Sequence, residues 1–219
     1  MQILQDSKQV KDLIYEGKKI AVIPSPTSGI DGFCASGALY KVLKNTNKDV
    51  ILIYSSPIPE ELKEFLSHED ITPIPTDRDF IISIDFSGTR IERVNWAVDG
   101  DICKVVLTPV SKDFDSSKIT YENIGLDYDL VISIGAKAWK DHTALYAEFE
   151  NDLKKLYAIN IDNSHVNTNF ATINVVEPQA SSMCHLLLHK LVSWNFRITE
   201  DVAKLLLIGM TSKKLQKTE

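Results

Sequence analysis

The sequence predicts an α/β fold: a mostly parallel sheet covered by helices on both faces, with an antiparallel hairpin insert. Two observations carry this prediction. Short apolar runs of strand length alternate with segments whose apolar residues recur at helical spacing, which is typical of parallel sheets buried on both faces. In the middle of the chain, two strand patterns flank Asp99-Gly100, a dipeptide typical of hairpin turns.

The first third of the chain alternates helix and strand. Residues 2–16 have a helical pattern that Gly17 can end. The run KKIAVIPS is a buried strand stopped by Pro24, and a helix rich in small residues begins at Asp31. DVILIYSS is a second buried strand, and PEELKEFL predicts a helix with Pro59 at its start.

The middle third changes character. DFIISIDF reads as a strand, and RIERVNWAV and DICKVVLTPV are the two arms of the predicted hairpin. We expect residues from about 79 to 120 to form an antiparallel insert within a single domain of residues 1–219.

Helices and buried strands return after the insert. Residues 128–134 and 156–162 are buried strands, and residues 138–156 have a helical pattern. Two helices follow. The segment PQASSMCHLLLHKLVSW has Pro178 near its first turn, and ITEDVAKLLLIGM has Thr199 as its N-cap.

Composition narrows the class of protein and its partners. The 219 residues carry 24 Lys and Arg against 30 Asp and Glu, a formal net charge of -6, so nucleic acid is not supported as a partner by net charge. No apolar run approaches the roughly 20 residues of a membrane span, and we expect no membrane association. Three separated cysteines without a C-x-x-C pair fit a reducing compartment, so we expect a cytoplasmic protein.

Three segments, in this order, carry a resemblance to one family. IAVIPSPTSGIDGFCASGALYKVLKN is similar to a strand, a loop of pattern His-x-Asn-Pro-Asp-x-Asp and a helix ending in Ala-Leu-Tyr. YDLVISIG is similar to a strand that delivers a metal-bridging Asp. INIDNSHVNTNFATINVVEPQASSMCHLL matches a pattern at Ile161, Asp162, Asn167, Phe170, Asn174, Glu177, Pro178, Ala180, Ser181 and Ser182. Together these segments, spanning roughly residues 19–210, resemble the DHH-type phosphoesterases.

The resemblance implies hydrolysis of phosphoesters by water that a pair of Mn²⁺ or Mg²⁺ ions activates. Aligned without gaps, however, most of the family's ligand positions carry no acid or imidazole: they fall on Ser25, Gly29, Gly135, Asn163, Ser164 and, last, Ser212 or Lys213. Asp31 is the one direct ligand that is kept, and Asp162 matches a residue that in the family supports the site. Two hard cations need several carboxylates and imidazoles at one point. We therefore expect a degenerate member that lacks the family's C-terminal substrate-binding domain. We expect no cofactor, or Mn²⁺ or Mg²⁺ if the protein is active.

The candidate ligand-binding residues come from the same motifs: Ser28, Gly29, Asp31, Asp162, Asn163, Ser164, His165 and Asn167. The polar loop before the helix at Asp31 can bind an anion through exposed amides. Asp31 is a metal ligand or a helix-capping acid, and we favour capping. Asp85, at the end of a strand, is the alternative metal ligand, for which we favour a turn role.

Two histidines outside these motifs, His185 and His189, lie four residues apart and share a predicted helix face. Such a pair can bind zinc, but no Glu follows His185 and no third ligand is evident. From the sequence we interpret both as ordinary helix residues.

Three functional hypotheses remain open. The first is a catalytically impaired phosphoesterase-like domain that binds a small phosphorylated ligand, a nucleotide, a short oligonucleotide or a protein partner. The second is an active metal-dependent phosphoesterase, acting on oligonucleotides, nucleotides or polyphosphate, with a site rearranged around Asp31, Asp85, Asp162 and His165. The third uses the hairpin at about 90–110 as an edge for homo-oligomer formation, because exposed strands invite pairing.

Overall fold

The computed structural model describes residues 2–73, 80–88, 90–108, 115–123 and 125–215. Contacts divide the chain into two compact units. The first comprises Met1–Asp77 and Leu126–Glu219, and the second comprises Arg78–Gly125. The insert expected at about 79–120 falls inside the second unit.

The described residues contain five α-helices and ten strands. The helices are α1 Gln2–Glu16, α2 Gly29–Lys44, α3 Thr143–Leu153, α4 Met183–Ser193 and α5 Glu200–Leu215. The strands are β1 Lys19–Pro24, β2 Asp49–Ile53, β3 Ile71–Thr72, β4 Phe80–Ile84, β5 Arg93–Asp99, β6 Ile102–Thr108, β7 Ile119–Asn123, β8 Leu130–Ile134, β9 Tyr157–Asp162 and β10 Ile173–Val176. None of the helices in these ranges has both the length and the apolar character that crossing a membrane requires.

Six strands of the first unit form one wholly parallel sheet in the order β10-β9-β8-β1-β2-β3. β1 lies between β8 and β2, with Ile20 opposite Leu130 on one side and Val50 on the other. These strands are apolar runs without polar alternation, as expected where both faces of a parallel sheet are covered. The predicted α/β class is confirmed.

Alternate residues of the strands face two separate cores. Ile20 and Val22 belong to a core that includes buried residues of α1, α2, α4 and α5, whereas Ala21 and Ile23 belong to a core that includes α3. Successive side chains of a strand point to opposite faces of the sheet, so helices cover both faces. Close packing brings α4 and α5 together near α2. A Cβ on Gly209 of α5 would lie 2.2 Å from Cys184 Sγ of α4.

The second unit consists of two antiparallel ladders, β4 with β7 and β5 with β6. The predicted hairpin is confirmed, but its turn is one residue later than Asp99-Gly100. Asp99 pairs with Ile102, which leaves Gly100 and Asp101 as the turn. Gly100 has φ +61°, and glycine at the first central position is typical of a type II′ turn.

One face of the β5–β6 hairpin is apolar. It carries Val94, Trp96 and Val98 of β5 and their partners Cys103, Val105 and Leu107 of β6. Trp96 is 73% exposed and Val94 is 62% exposed. Exposed apolar faces of this kind are typical of surfaces that bind other proteins.

Two helix predictions were wrong in extent. PEELKEFL forms only a 3₁₀ turn, Glu60–Leu62, because a new turn begins soon afterwards, where Ser67 and Asp70 cap each other. Pro178 does not begin α4. The helix begins at Met183, since the Ser182 hydroxyl accepts the backbone N–H of His185. The short strands β3 and β10 were not predicted, because each is too brief to show a pattern.

Candidate ligand-binding site

A cleft of about 400 Å³ lies where three neighbouring strands of the parallel sheet end. Ser25 follows β1, Gly135 follows β8, and Asp162 is the last residue of β9. Two backbone hydrogen bonds hold these strand ends together: Ser25 N–H donates to Ile134 O at 2.8 Å, and Gly135 N–H donates to Ile161 O at 2.8 Å. The carboxyl ends of parallel strands are where α/β proteins bind ligands.

Six of the sequence-predicted residues line this cleft: Ser28, Gly29, Asp31, Asp162, Asn163 and Ser164. Gly135 and Ser212, onto which the sequence alignment places two further ligands of the DHH-type pattern, line it too. Residues from four separate stretches of the sequence therefore meet at one edge of the sheet, in the order that the motif comparison implied.

The Asp31 carboxylate caps the beginning of α4. Its Oδ2 accepts the N–H of Met183 at 2.7 Å, and its Oδ1 accepts the N–H of Cys184 at 3.0 Å. The first N–H groups of a helix lack partners within the helix, and a buried carboxylate at that end satisfies them and complements the helix dipole. Asp31 is 6% exposed, so most of its surface is in these contacts. This geometry is the capping arrangement favoured from the sequence, applied to α4 rather than to its own helix.

Asp162 lines the cleft and is hydrogen-bonded to Asn167, which is not among the residues that line it. Asn167 Nδ2 donates to Asp162 Oδ2 at 2.7 Å and to Ala136 O at 2.9 Å. Asn167 Oδ1 accepts from Asn160 Nδ2 and from the N–H of Asn169. Asn167 therefore ties the end of β9 to the chain that follows β8.

The remaining sequence-predicted residues make local hydrogen bonds or lie outside the cleft. Asn163 Nδ2 donates to Ala180 O at 3.0 Å, and Ser164 Oγ accepts the N–H of Val166. His165 is exposed and is not among the residues that line the cleft. Asp85 belongs to the second unit, where its Oδ1 accepts the N–H of Ser87 at 2.8 Å, and these hydrogen bonds lower the pKa of its carboxyl.

Ser28 packs against Gly135, the residue onto which the sequence alignment places the bridging Asp. A Cβ on Gly135 would lie 2.5 Å from Ser28 Cβ, and Gly135 has φ +72°, which L side chains rarely adopt. A Cβ on Gly32 would lie 1.9 Å from Ser28 Oγ. The same Oγ donates to Ser25 O at 2.6 Å, so Ser28 is held in place. A side chain at Gly135 cannot be accommodated in this arrangement.

The residues present do not fit a pair of divalent metal ions. Both oxygens of Asp31 accept amides, Asp162 is bonded to Asn167, and Gly135 has no room for a side chain. Across the described parts of the chain, no three His, Cys, Asp or Glu residues come together in a way that could hold a metal ion.

The cleft does contain groups suited to an anion. α2 begins in it with Gly29 and Ile30, and Ser28, the N-cap, makes no side-chain hydrogen bond to the helix. The exposed Lys137 is the one basic residue among those that line the cleft. The sequence analysis missed Lys137, although its position two residues after Gly135 in a strand-end motif could have indicated it.

No family model and no curated protein matches the chain. Among solved structures, it is similar to an exopolyphosphatase-related protein from Bacteroides fragilis, with a TM-score of 0.64 and 17% sequence identity. The match covers 96% of this chain and 50% of that protein, so the chain spans about half the length of its structural relative. At this identity the likeness shows that the two chains share a fold.

Proposed function

We propose that this chain is a divergent DHH-type phosphoesterase-like domain that does not hydrolyse phosphoesters and instead binds a small phosphorylated ligand in the strand-end cleft. The single observation that carries the proposal is the packing of Ser28 against Gly135, which leaves no room for a bridging carboxylate. The capping of α4 by Asp31 supports it, because a carboxylate with both oxygens bonded to amides is a poor metal ligand.

Phosphate recognition rests on three groups. The N–H groups at the start of α2 point toward the helix N-terminus, where the dipole favours negative charge. Lys137 supplies a full positive charge, and Asn163, whose Nδ2 donates one hydrogen to Ala180 O, has a second amide hydrogen to donate. Asp31 and Asp162 also line the cleft, but each already accepts hydrogen bonds, which reduces their repulsion of an anion. The volume of about 400 Å³ suits a small ligand.

Calorimetric titration with pyrophosphate, AMP, ADP and a 5′-phosphorylated dinucleotide tests this proposal. We expect at least one of these ligands to bind, and Lys137→Ala to weaken it about tenfold, since a charge-assisted hydrogen bond is worth roughly 1.5–3 kcal/mol and solvent around the exposed Lys137 keeps it at the lower end of that range. Lys140→Ala is the matched control, because Lys140 is an exposed lysine three residues away that does not line the cleft. Absence of binding by all four ligands, or equal affinity of both variants, contradicts the proposal.

Hydrolysis is tested separately with Mn²⁺. The alternative of an active, rearranged site requires two ions per chain and turnover of a phosphodiester substrate. Tight binding of two Mn²⁺ ions that Asp162→Asn abolishes would establish that alternative. The proposed function predicts neither the binding nor the turnover.

A second proposal concerns self-association. The apolar face of the β5–β6 hairpin favours contact with a second copy of the chain, because its described charged neighbours balance: Arg90, Arg93 and Lys104 against Glu92, Asp99 and Asp101. A neutral apolar patch does not repel its own copy. Light scattering at high protein concentration should show a dimer that Trp96→Glu dissociates. A wild-type monomer contradicts this idea.

A further inference from the structure

The side chains of His185 and His189 meet on one face of α4. Their Nε2 atoms are 3.1 Å apart, and their rings are nearly perpendicular, with centroids 4.6 Å apart. Residues four apart on a helix share a face, so the helix itself sets this geometry. His189 is exposed and His185 is half-buried, which leaves the paired nitrogens near the protein surface.

This spacing is close to that of two nitrogens bound to one metal ion. Zinc binds histidine nitrogen at about 2.0–2.1 Å, so two ligands at a tetrahedral angle lie about 3.4 Å apart. The two nitrogens need to separate by only a few tenths of an ångström to reach that distance. Rotation of the exposed His189 ring can supply such a shift without moving α4.

Without a metal ion, the two histidines leave a hydrogen-bonding group without a partner. One Nε2 must donate to the other, and Nδ1 of His185 is buried without a hydrogen-bond partner. A metal bound at Nε2 requires the neutral tautomer that carries its proton on Nδ1. In His185, Nδ1 has no hydrogen-bond partner in either tautomer, so the change of tautomer leaves no further group unpaired. Metal binding exchanges one weak imidazole–imidazole hydrogen bond for two coordinate bonds.

We propose that His185 and His189 form a two-ligand surface site for a divalent cation that prefers imidazole, namely Zn²⁺, Cu²⁺ or Ni²⁺. Mn²⁺ and Mg²⁺ prefer oxygen ligands and are not expected there. Water fills the remaining coordination positions, since no third protein ligand lies nearby among the residues that the structure describes. His185 also lacks the hydrogen-bonded partner that usually tightens metal affinity by about 10–100-fold, so affinity in the micromolar range is expected.

The site differs from the strand-end cleft in both position and ion preference. Its ligands lie within α4, whereas the cleft is lined by residues at the strand ends and at the beginning of α2 and α4. Failure of phosphate binding in the cleft would therefore leave this inference unaffected.

Titration calorimetry with ZnCl₂ tests the inference in a Cys103→Ser background, which removes the one exposed thiol among the cysteines. We expect one Zn²⁺ per chain, and His189→Gln should weaken binding at least tenfold because one of two ligands is lost. His68→Gln, in a separate 3₁₀ turn, is the matched control and should bind as the parent does. MnCl₂ should give no saturable binding that depends on His189.

A second readout follows the histidine ring protons by NMR during the same Zn²⁺ titration. We expect the signals of His185 and His189 to move together and saturate at one equivalent. Absence of saturable Zn²⁺ binding, or equal affinity of the parent and His189→Gln, overturns the inference. If His185→Gln does not fold, the exposed His189 variant alone decides the question.

Discussion

Ser28 fills the space beside the α-carbon of Gly135, and this contact determines what the strand-end cleft can hold. A Cβ on Gly135 would lie 2.5 Å from Ser28 Cβ, far inside van der Waals contact. Under the proposed function, the absence of a carboxylate at position 135 is therefore a matter of packing as well as of charge. Substitution of an acid at Gly135 alone is not expected to create a metal site.

Gly135→Ala should destabilise the protein by about 2–4 kcal/mol, because it combines a left-handed backbone with an overpacked contact. In a Ser28→Gly background the clash is gone, and the same substitution should cost only about 1 kcal/mol through the backbone. Urea unfolding of the four proteins measures this coupling. Equal costs in the two backgrounds would show that Ser28 does not limit position 135.

Asp31→Asn should lower the free energy of unfolding by about 2–4 kcal/mol, since the amide keeps one acceptor and turns a donor toward a backbone N–H of α4. Hydrogen exchange of Met183 and Cys184 should accelerate in the variant. Asp12→Asn, on the exposed side of α1, is the control and should leave unfolding unchanged. An unaltered midpoint in Asp31→Asn would argue that the carboxylate does not cap α4.

Asn167→Ala should cost about 2–3 kcal/mol, because it leaves the buried Asp162 and the carbonyl of Ala136 without their amide partner. Asn167→Asp should be at least as damaging, since it sets a second carboxylate beside Asp162. Chemical denaturation compares both variants with Asn151→Ala, an exposed position on α3 that should be neutral or slightly stabilising. A mild effect of Asn167→Asp would contradict the reported pairing.

His142 should make stability depend on pH. It is buried, with Nε2 2.8 Å from Ser133 Oγ, and burial lowers its pKa to about 4 from the ordinary 6.5. The unfolded chain takes up the proton first, so stability is full above pH 6.5 and falls as the pH drops toward 4, by roughly 3 kcal/mol in total.

His142→Gln stays neutral and should remove that dependence, which urea unfolding between pH 5 and 7 can measure. Carboxyls with a lowered pKa, such as that of Asp129, act mainly at lower pH and do not obscure this window. The same slope in the variant and the parent would assign the effect to another group.

The fold was largely predictable, because most of the buried strands are apolar runs of ordinary strand length. The segments around β1, β8 and β9 stand out in the sequence, and parallel pairing follows once helices separate them. Short elements were not predictable. β3 has two residues, and its pairing with β2 depends on the neighbouring strand rather than on its own composition.

The sequence predicted which residues belong to the candidate site, but not what each side chain does there. Motif positions selected Asp31, Asp162 and Asn167, yet nothing local indicates that Asp31 accepts amides from residues more than 150 positions later. The approach of His185 Nε2 to His189 Nε2 followed from helical spacing, whereas the burial of His185 Nδ1 depends on neighbouring elements.

By itself, the sequence determined the layered α/β architecture, the presence of the hairpin and the neutral character of Ser25, Gly29 and Gly135, because periodicity and residue type are local properties. Only the tertiary structure decided that Ser28 closes the space beside Gly135 and that Asp31 serves α4. Those contacts join residues far apart in the chain, and their distances depend on how the sheet and its helices pack.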